Sequence, residues 1–470
     1  MLTSLSLRLR IFLLFLGLLV ASVLIVSGAI FLGFQRSADT SIESAFLYSG
    51  IVSAFGLLAL CAGIWLLFDE NVAKPIERIA AVMRTRATTE VKTSVDMDQA
   101  RYLGDLAPAV NAVAGQLSKV SSGTGELVAS ETARLSAEKA QLAALLTEIP
   151  IAIVLLSDTH HITLYDGQAA DVLGQVQVPR LNASVFDYFA EDDLRSAFDQ
   201  LTDQRTETTV TAHGTQGNLT FELRLKKLSQ GPGYMILIDR THARIAPNAA
   251  RPLIYDFDLS NQDTGHAFDA RPIQELNFVV FDTETTGLMP NKDEIVQIGA
   301  VRVVNGRIVP GETVDQLVNP GRPIPPASTK VHGVSDAMVA GAPDAMTAVS
   351  QFHGFAQDAV IVAHNAPFDM AFLQRHGKTS GLTWDHPILD TVLLSAVLFG
   401  ASDTHTLDAV CDRLDITIPP ELRHTALGDA QATAEALCKM LPILSSRGLD
   451  TFGDVIQETR KHGRLLQDLN

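Results

Sequence analysis

The segment "FVVFDTETTGL", residues 278–288, ends an apolar run in two carboxylates. Phe278 to Phe281 has the unbroken apolar character of a strand covered on both faces. Side chains alternate across a strand, so Asp282 and Glu284 share one face and lie close together. Two neighbouring carboxylates resist joint ionisation unless a cation neutralises them. A D-x-E pair at a strand end is common by chance and usually faces solvent. What it means here depends on the rest of the chain.

Two later blocks supply matching acids. In "AVIVAHNAPFDMAFL" (359–373) residues 360–363 read as a buried strand, and Pro367 opens a helix whose first turn holds Asp369. In "RHTALGDAQATAEALCKML" (423–441), His424 and Asp429 stand at the start of a helix. Its apolar stripe is Ala430, Ala434, Leu437 and Leu441. Acids favour helix N-termini for electrostatic reasons alone. Chance becomes a poor account when all three blocks occur together in this order.

The set D-x-E, H-N-x-x-F-D and H-x-x-x-x-D resembles the signature of the DEDDh 3'–5' exonucleases. The stretch is most similar to the proofreading epsilon subunit of bacterial DNA polymerase III. The resemblance covers about residues 276–443 and extends to "VHGVSD" and "TLDAVCDRLDI". It implies an α/β RNase H-like domain over 275–445, with a mixed sheet flanked by helices. It also implies catalytic roles for Asp282, Glu284, Asp369, His424 and Asp429. The four acids would hold two divalent cations, Mg2+ or Mn2+, as hard oxygen ligands suit. By the same resemblance Asp282 bridges the two ions, and Glu284 and Asp429 complete the nucleophile side. Asp369 supports the second ion, largely through water. His424 is the general base, a role that suits an imidazole with an ordinary pKa of about 6.5. Thr283, Thr285 and Leu288 fall in the segment that contacts the terminal nucleotide in the family. His332 is either a substrate contact or an ordinary loop histidine. Asn365 and Phe368 either position the Asp369 helix or pack on the terminal base. His364, His405 and Asp390 read as structural.

The chain has 470 residues and a formal net charge of -17, too long for one domain and too acidic for generic binding of nucleic acid. Residues 275–445 carry about twice as many acidic as basic side chains. Frayed DNA 3' ends, single strands or short oligonucleotides are therefore the expected substrates, with RNA as the alternative. A DNA polymerase is a further possible partner. The three cysteines, Cys61, Cys411 and Cys438, form no CxxC pair and support neither a disulfide framework nor a zinc knuckle.

Residues 11–34 and 45–68 contain no charge. Each run spans about 36 Å as helix, enough for a hydrocarbon core of about 30 Å. Arg8 and Arg10 precede the first, and Lys74, Arg78, Arg84 and Arg86 follow the second. By the positive-inside rule residues 1–68 form a hairpin in the inner membrane, with both termini and the nuclease domain in the cytoplasm. Residues 69–120 resemble a HAMP linker. Residues 121–147 carry a weak heptad and read as a signalling helix in a parallel homodimer. Residues 148–242 look like a PAS domain, although the family often has Asn where Asp166 stands. His160 and His161 are expected in a solvated turn. Residues 243–274 read as linker, and 446–470 as a C-terminal tail. A membrane receptor whose nuclease fold only binds nucleic acid is the non-enzymatic alternative. The intact five-residue set argues against it.

Overall fold

A computed structural model describes residues 7–36, 42–88, 103, 106, 109–110, 151–202, 204–216, 219–229, 232–238, 253–261, 267–400 and 403–470. The chain divides into two units, residues 1–125 and 126–470. In the first, α1 (Leu7–Arg36) and α2 (Ile42–Phe68) pack side by side. Both are long and apolar enough to cross a membrane. A Cβ on Gly56 of α2 would meet Ile25 Cγ2 at 2.5 Å, so a larger residue there would have to displace the Ile25 side chain. A π-helical turn, Asp69–Ala73, joins α2 to α3 (Lys74–Thr88). Pro75 lacks the amide that would continue the α-helical ladder, and the π turn before it absorbs the misfit. Ile79 packs with Leu103 and Val110. The rest of the expected HAMP-like linker beyond residue 88, and the whole expected signalling helix, lie outside the described residues.

The second unit holds two sheets. The first comprises β1 (Ala152–Leu156), β2 (Ile162–Tyr165), β3 (Glu207–His213), β4 (Thr220–Lys227), β5 (Tyr234–Ile238) and β6 (Ile254–Tyr255). They are antiparallel in the order β3-β4-β5-β1-β2-β6. Alternation is regular in β4, where Phe221, Leu223 and Leu225 are buried and their neighbours exposed. Between β2 and β3 lie α4 (Gly167–Leu173) and α5 (Glu191–Phe198). Asp166 caps α4: its Oδ1 accepts from the Ala169 amide at 2.7 Å and the Ile153 amide at 3.2 Å. Two expectations are corrected here. Part of the supposed linker is β6, which pairs with β2 and extends this sheet. His160 is not a solvated turn residue. Its backbone is left-handed (φ 64°), and its half-buried ring stacks on Phe198 at 4.4 Å and meets Phe186 edge-on.

The second sheet comprises β7 (Phe278–Thr285), β8 (Ile295–Val304), β9 (Arg307–Leu317), β10 (Val360–Ala363) and β11 (Ile388–Asp390). Its order is β11-β10-β7-β8-β9. β7, β8 and β9 are antiparallel, whereas β7, β10 and β11 run parallel, so the sheet is mixed as expected. After β9 come α6 (Pro326–His332), the single turn α7 (Asp336–Val339), α8 (Ala345–Phe355) and α9 (Ala366–Ser380). Then follow α10 (Thr391–Phe399), α11 (Leu407–Arg413), α12 (Ala426–Ser445) and α13 (Phe452–Arg460). One face of the sheet buries Val280, Val301 and Val362 against α12, and the other buries Phe281, Ile298 and Ile361 against α8 and α9. All ten residues of β8 are buried, because it lies between two strands with helices on both faces. Residues 446–470 are no loose tail. α13 opens with a Thr451–Asp454 capping box, Phe452 meets Phe268 at 5.0 Å, and the Asn470 side chain pairs with the backbone of Ile388 on the edge strand β11.

Candidate active site

Asp282 and Glu284 occupy the C-terminal half of β7, the central strand. Their register partners on β8 are Gly299 and Gln297. These two residues bring α12 onto the carboxylates. A Cβ at Gly299 would lie 2.1 Å from Ala426 C and Leu427 N, so only glycine admits the helix start at this depth. Gln297 Oε1 accepts the Ala426 amide at 3.4 Å while its Nε2 donates to Asp315 at 2.7 Å. The Thr425 hydroxyl caps α12 by accepting from the Gly428 amide at 3.1 Å. Just before it, His424 sits exposed in the left-handed region (φ 57°). The outcome is a cluster in which donor oxygens of Asp282, Glu284 and Asp429 all lie within 4.8 Å of one another.

Asp369 reaches the same strand from the other face. It is buried in the first turn of α9, and its Oδ1 accepts from the Thr283 amide at 3.1 Å and the Thr283 hydroxyl at 2.5 Å. It is not one of the three clustered acids, yet its charge acts on Asp282.

All four acids are raised above the ordinary carboxylate range. Burial is the main cause for Asp282, with repulsion from Asp369, Glu284 and Asp429 added to it. Burial, then Asp429 and Asp369, push Glu284 up to about 8. Burial carries Asp369 to about 7, against the two Thr283 hydrogen bonds. Burial also raises Asp429, and the nearby His424 opposes the shift. Without a cation Asp282, Glu284 and Asp369 would hold protons near neutrality. A divalent cation would supply the missing positive charge, so the donor set fits one.

The remaining sequence candidates separate by contact. Leu288 is 83% exposed, beside Met289, on the loop that follows the acids. That loop is folded back by Asp293, which accepts the Met289 amide at 2.8 Å and lies where a Gly287 Cβ would be. Thr283 and Thr285 are buried, and their hydroxyls are committed to Asp369 and to the Gly287 carbonyl. His332 is also buried, and its Nδ1 accepts the Val334 amide at 3.0 Å. Asn365 is exposed with φ 73°, turning the chain from β10 into α9. Phe368 packs edge-on against Phe372 at 5.3 Å. Asp390 accepts the Ala366 amide at 2.6 Å and the Val392 amide at 2.7 Å, tying together the starts of α9 and α10. His364 bonds Thr391 at 2.9 Å and is driven down to about 4 by burial. His405 bonds Ser395 at 2.9 Å.

Sequence reasoning missed Gly299, Gln297 and Gly428, where a Cβ would meet the Leu422 carbonyl at 2.0 Å. The available signal was a lone glycine inside the β-branched run "IVQIGAVRVV". Gly299→Ala is expected to push the start of α12 outward and cut kcat by about 10²-fold, since a displacement of about 1 Å has that effect. A Gly299→Ala variant with wild-type kcat in a 3'-end release assay would contradict this account of the packing.

Comparison with known proteins agrees with the geometry. Residues 279–437 match the family described as Exonuclease (RNase_T), a stretch that contains all four acids and His424. Over the full length of both chains the protein is 33% identical to a DNA polymerase III subunit epsilon-like protein of Rhodobacter capsulatus. It is 40% identical over 181 residues to DNA polymerase III PolC-type of Caldanaerobacter subterraneus subsp. tengcongensis, covering 38% of this chain but 13% of that polymerase. Among solved structures, Exonuclease X in complex with 5' overhanging duplex DNA is 29% identical over 39% of this chain and 99% of its own, with a TM-score of 0.31. Because the likeness to the R. capsulatus protein runs from end to end, the chain belongs to the DNA polymerase III subunit epsilon-like proteins, and it is a 3'–5' exonuclease.

Proposed function

We propose that the protein is a membrane-anchored exonuclease that releases nucleoside monophosphates from DNA 3' ends with two divalent cations, Mg2+ or Mn2+. The observation that carries this reading is the convergence of Asp282 and Glu284 on the central strand with Asp429 of α12, their donor oxygens within 4.8 Å. Bound cations would activate a water and stabilise the leaving oxygen. Asp282 and Glu284 present oxygens from β7, Asp429 presents its own from α12, and Asp369 adds charge from α9. His424, exposed beside Asp429, takes the proton of the attacking water. Leu288 lies open to meet the terminal base. Thr283 gives its amide and hydroxyl to Asp369 and shapes the site from within, whereas Thr285 meets substrate through its backbone, with His332 at the end of α6 as a further candidate contact. Asn365 and Phe368 set the α9 turn that carries Asp369.

Two apolar helices support the anchor, and flanking basic residues support an inner-membrane hairpin with the nuclease in the cytoplasm. The antiparallel sheet of residues 152–238, with helices between β2 and β3, supports the PAS-like reading of residues 148–242. α3 and the packing of Ile79 on Leu103 and Val110 support the HAMP-like one. These modules regulate the nuclease within a homodimer. A polymerase partner is proposed on the family likeness alone.

The full-length chain, purified in detergent, is to be incubated with 5'-labelled single-stranded DNA and RNA in Mg2+, Mn2+ or chelator. Metal-dependent shortening of DNA at least about tenfold faster than RNA is the expected result. Faster RNA degradation would replace the DNA assignment with exoribonuclease. A fragment starting near residue 270 is a poor reagent, because Val304 and Val309 belong to the core of the first sheet.

A further inference from the structure

Strand β8 serves two junctions. Gln297 and Gly299 lie under the start of α12. Three residues on, Arg302 points to the opposite face and is fully buried where the two sheets meet. Its Nε stands 3.0 Å from Glu312 Oε2 on β9. Its Nη1 and Nη2 donate to the carbonyls of Phe355 and Leu181 at 3.1 and 3.4 Å. Glu312 is equally buried, and its Oε1 accepts the Tyr165 hydroxyl at 2.6 Å and the Leu181 amide at 2.5 Å. Tyr165 and Leu181 belong to the first-sheet domain. That domain also sends in the buried Arg180, which donates to the Gly354 carbonyl at 2.8 Å and to Gln357 at 2.7 Å, at the end of α8. In return, Val304 and Val309 from the β8–β9 hairpin complete the first domain's core.

A buried ion pair is tolerated only when its remaining lone pairs and protons are satisfied. For Arg302 and Glu312, part of that satisfaction comes from the other domain. The hydrogen bonds to Glu312 Oε1 and from Arg302 Nη2 are therefore made only while that domain is seated, and the strand bearing Arg302 runs directly into the floor of the active site.

We propose that Arg302 and Glu312 are positioning residues for the exonuclease reaction. Completed by Tyr165 and the Leu181 amide, they hold β8 where Gly299 and Gln297 seat the helix bearing Asp429. The first-sheet domain thus acts on the chemistry through strand position, without touching substrate. This inference rests on the assignment of Asp429 to the active site.

The test is a double-mutant cycle on the full-length chain, with Tyr165→Phe, Gln297→Ala and the double variant. kcat and KM on single-stranded DNA and the thermal midpoint are measured for each. Tyr165→Phe is expected to lower kcat about fivefold at unchanged KM, with a midpoint well above the assay temperature. The double variant should fall short of the product of the single effects by at least about threefold, as coupled sites do. Tyr165→Phe with wild-type kcat, or strictly multiplicative effects, would overturn the inference. So would a loss that the unfolded fraction accounts for entirely. Should Tyr165→Phe not fold, Glu312→Gln is compared with Glu312→Ala. Gln keeps the oxygen that accepts from Tyr165 and Leu181 but loses the charge facing Arg302, so its kcat should fall less than that of Ala, which should lose about tenfold. Equal activity of these two variants overturns the inference as well. If the wild type itself cleaves no nucleic acid, the exonuclease assignment fails instead.

Discussion

Asp282→Asn is expected to lower exonuclease activity by at least about 10³-fold while leaving the protein folded, and to make the metal-free protein more stable. The reason for both effects is the same. Asp282 is partly buried and faces Asp369, Glu284 and Asp429, so its charge is costly unless cations offset it. Raised folded-state pKa values mean that the folded, metal-free protein retains protons that the unfolded chain has released. Stability therefore falls as pH rises through the interval from 4.5, the ordinary Glu value, to about 8 for Glu284. Below that interval Glu284 is protonated in both states and its penalty vanishes, and the aspartates follow below 3.8. Added Mg2+ or Mn2+ should raise the thermal midpoint more at pH 8 than at pH 5, because protons and cations compete for the same oxygens. In Asp282→Asn one member of the repelling group is gone, so the pH dependence should flatten and the metal-induced rise should shrink. Differential scanning fluorimetry across pH, with and without metal, reads all of this. An Asp282→Asn protein that keeps wild-type activity, or the full metal-induced stabilisation, would show that the cluster is not the cation site.

His424→Ala separates proton transfer from cation binding. A general base contributes about 10²- to 10⁴-fold, so kcat should fall by that range. The side chain is exposed and precedes α12 rather than packing beneath it, so the fold and the metal-induced thermal shift should both survive. KM for single-stranded DNA should change little. The contrast between the two variants is the informative part. Asp282→Asn loses catalysis together with the cation response, and His424→Ala loses catalysis alone. Loss of the cation response in His424→Ala would mean that this residue shapes the metal site, and its role as base would need replacing. The left-handed backbone at His424 (φ 57°) adds a control, since His424→Asn tolerates that conformation while removing the imidazole.

Much of the nuclease half was legible in the chain because its signals are local. Period-two alternation places Asp282 and Glu284 on one face, and strand-to-helix punctuation places Asp369 and Asp429 in first turns. The mixed sheet followed from the resemblance those residues carry. The two apolar runs were legible for the same reason, since length and composition alone decide whether a helix can span a bilayer. Domain edges fared less well. Ile254 and Tyr255 sit among Pro, Asn and Asp and carry no strand pattern; only the exposed edge of β2 recruits them as β6. Asn470 gains its meaning from the unpaired backbone of Ile388, a partner 82 residues away.

The sequence by itself determined which side chains the candidate site offers: the acids, the histidine, and the order in which they follow the strands. Residue type and short-range spacing decide these, and both are written in the chain. Tertiary structure alone decided how close the acids come and what holds them there. The glycine at 299 is needed because a helix 127 residues later packs against it. Asp369 turns to Thr283, whereas Asp429 joins Asp282 and Glu284, because α9 and α12 approach opposite faces of one sheet. Arg302 and Glu312 sit on neighbouring strands, and Tyr165 and Leu181 supply further hydrogen-bond partners from the other sheet. Steric fit and the satisfaction of buried charge depend on neighbours distant in sequence, so no local pattern announces them.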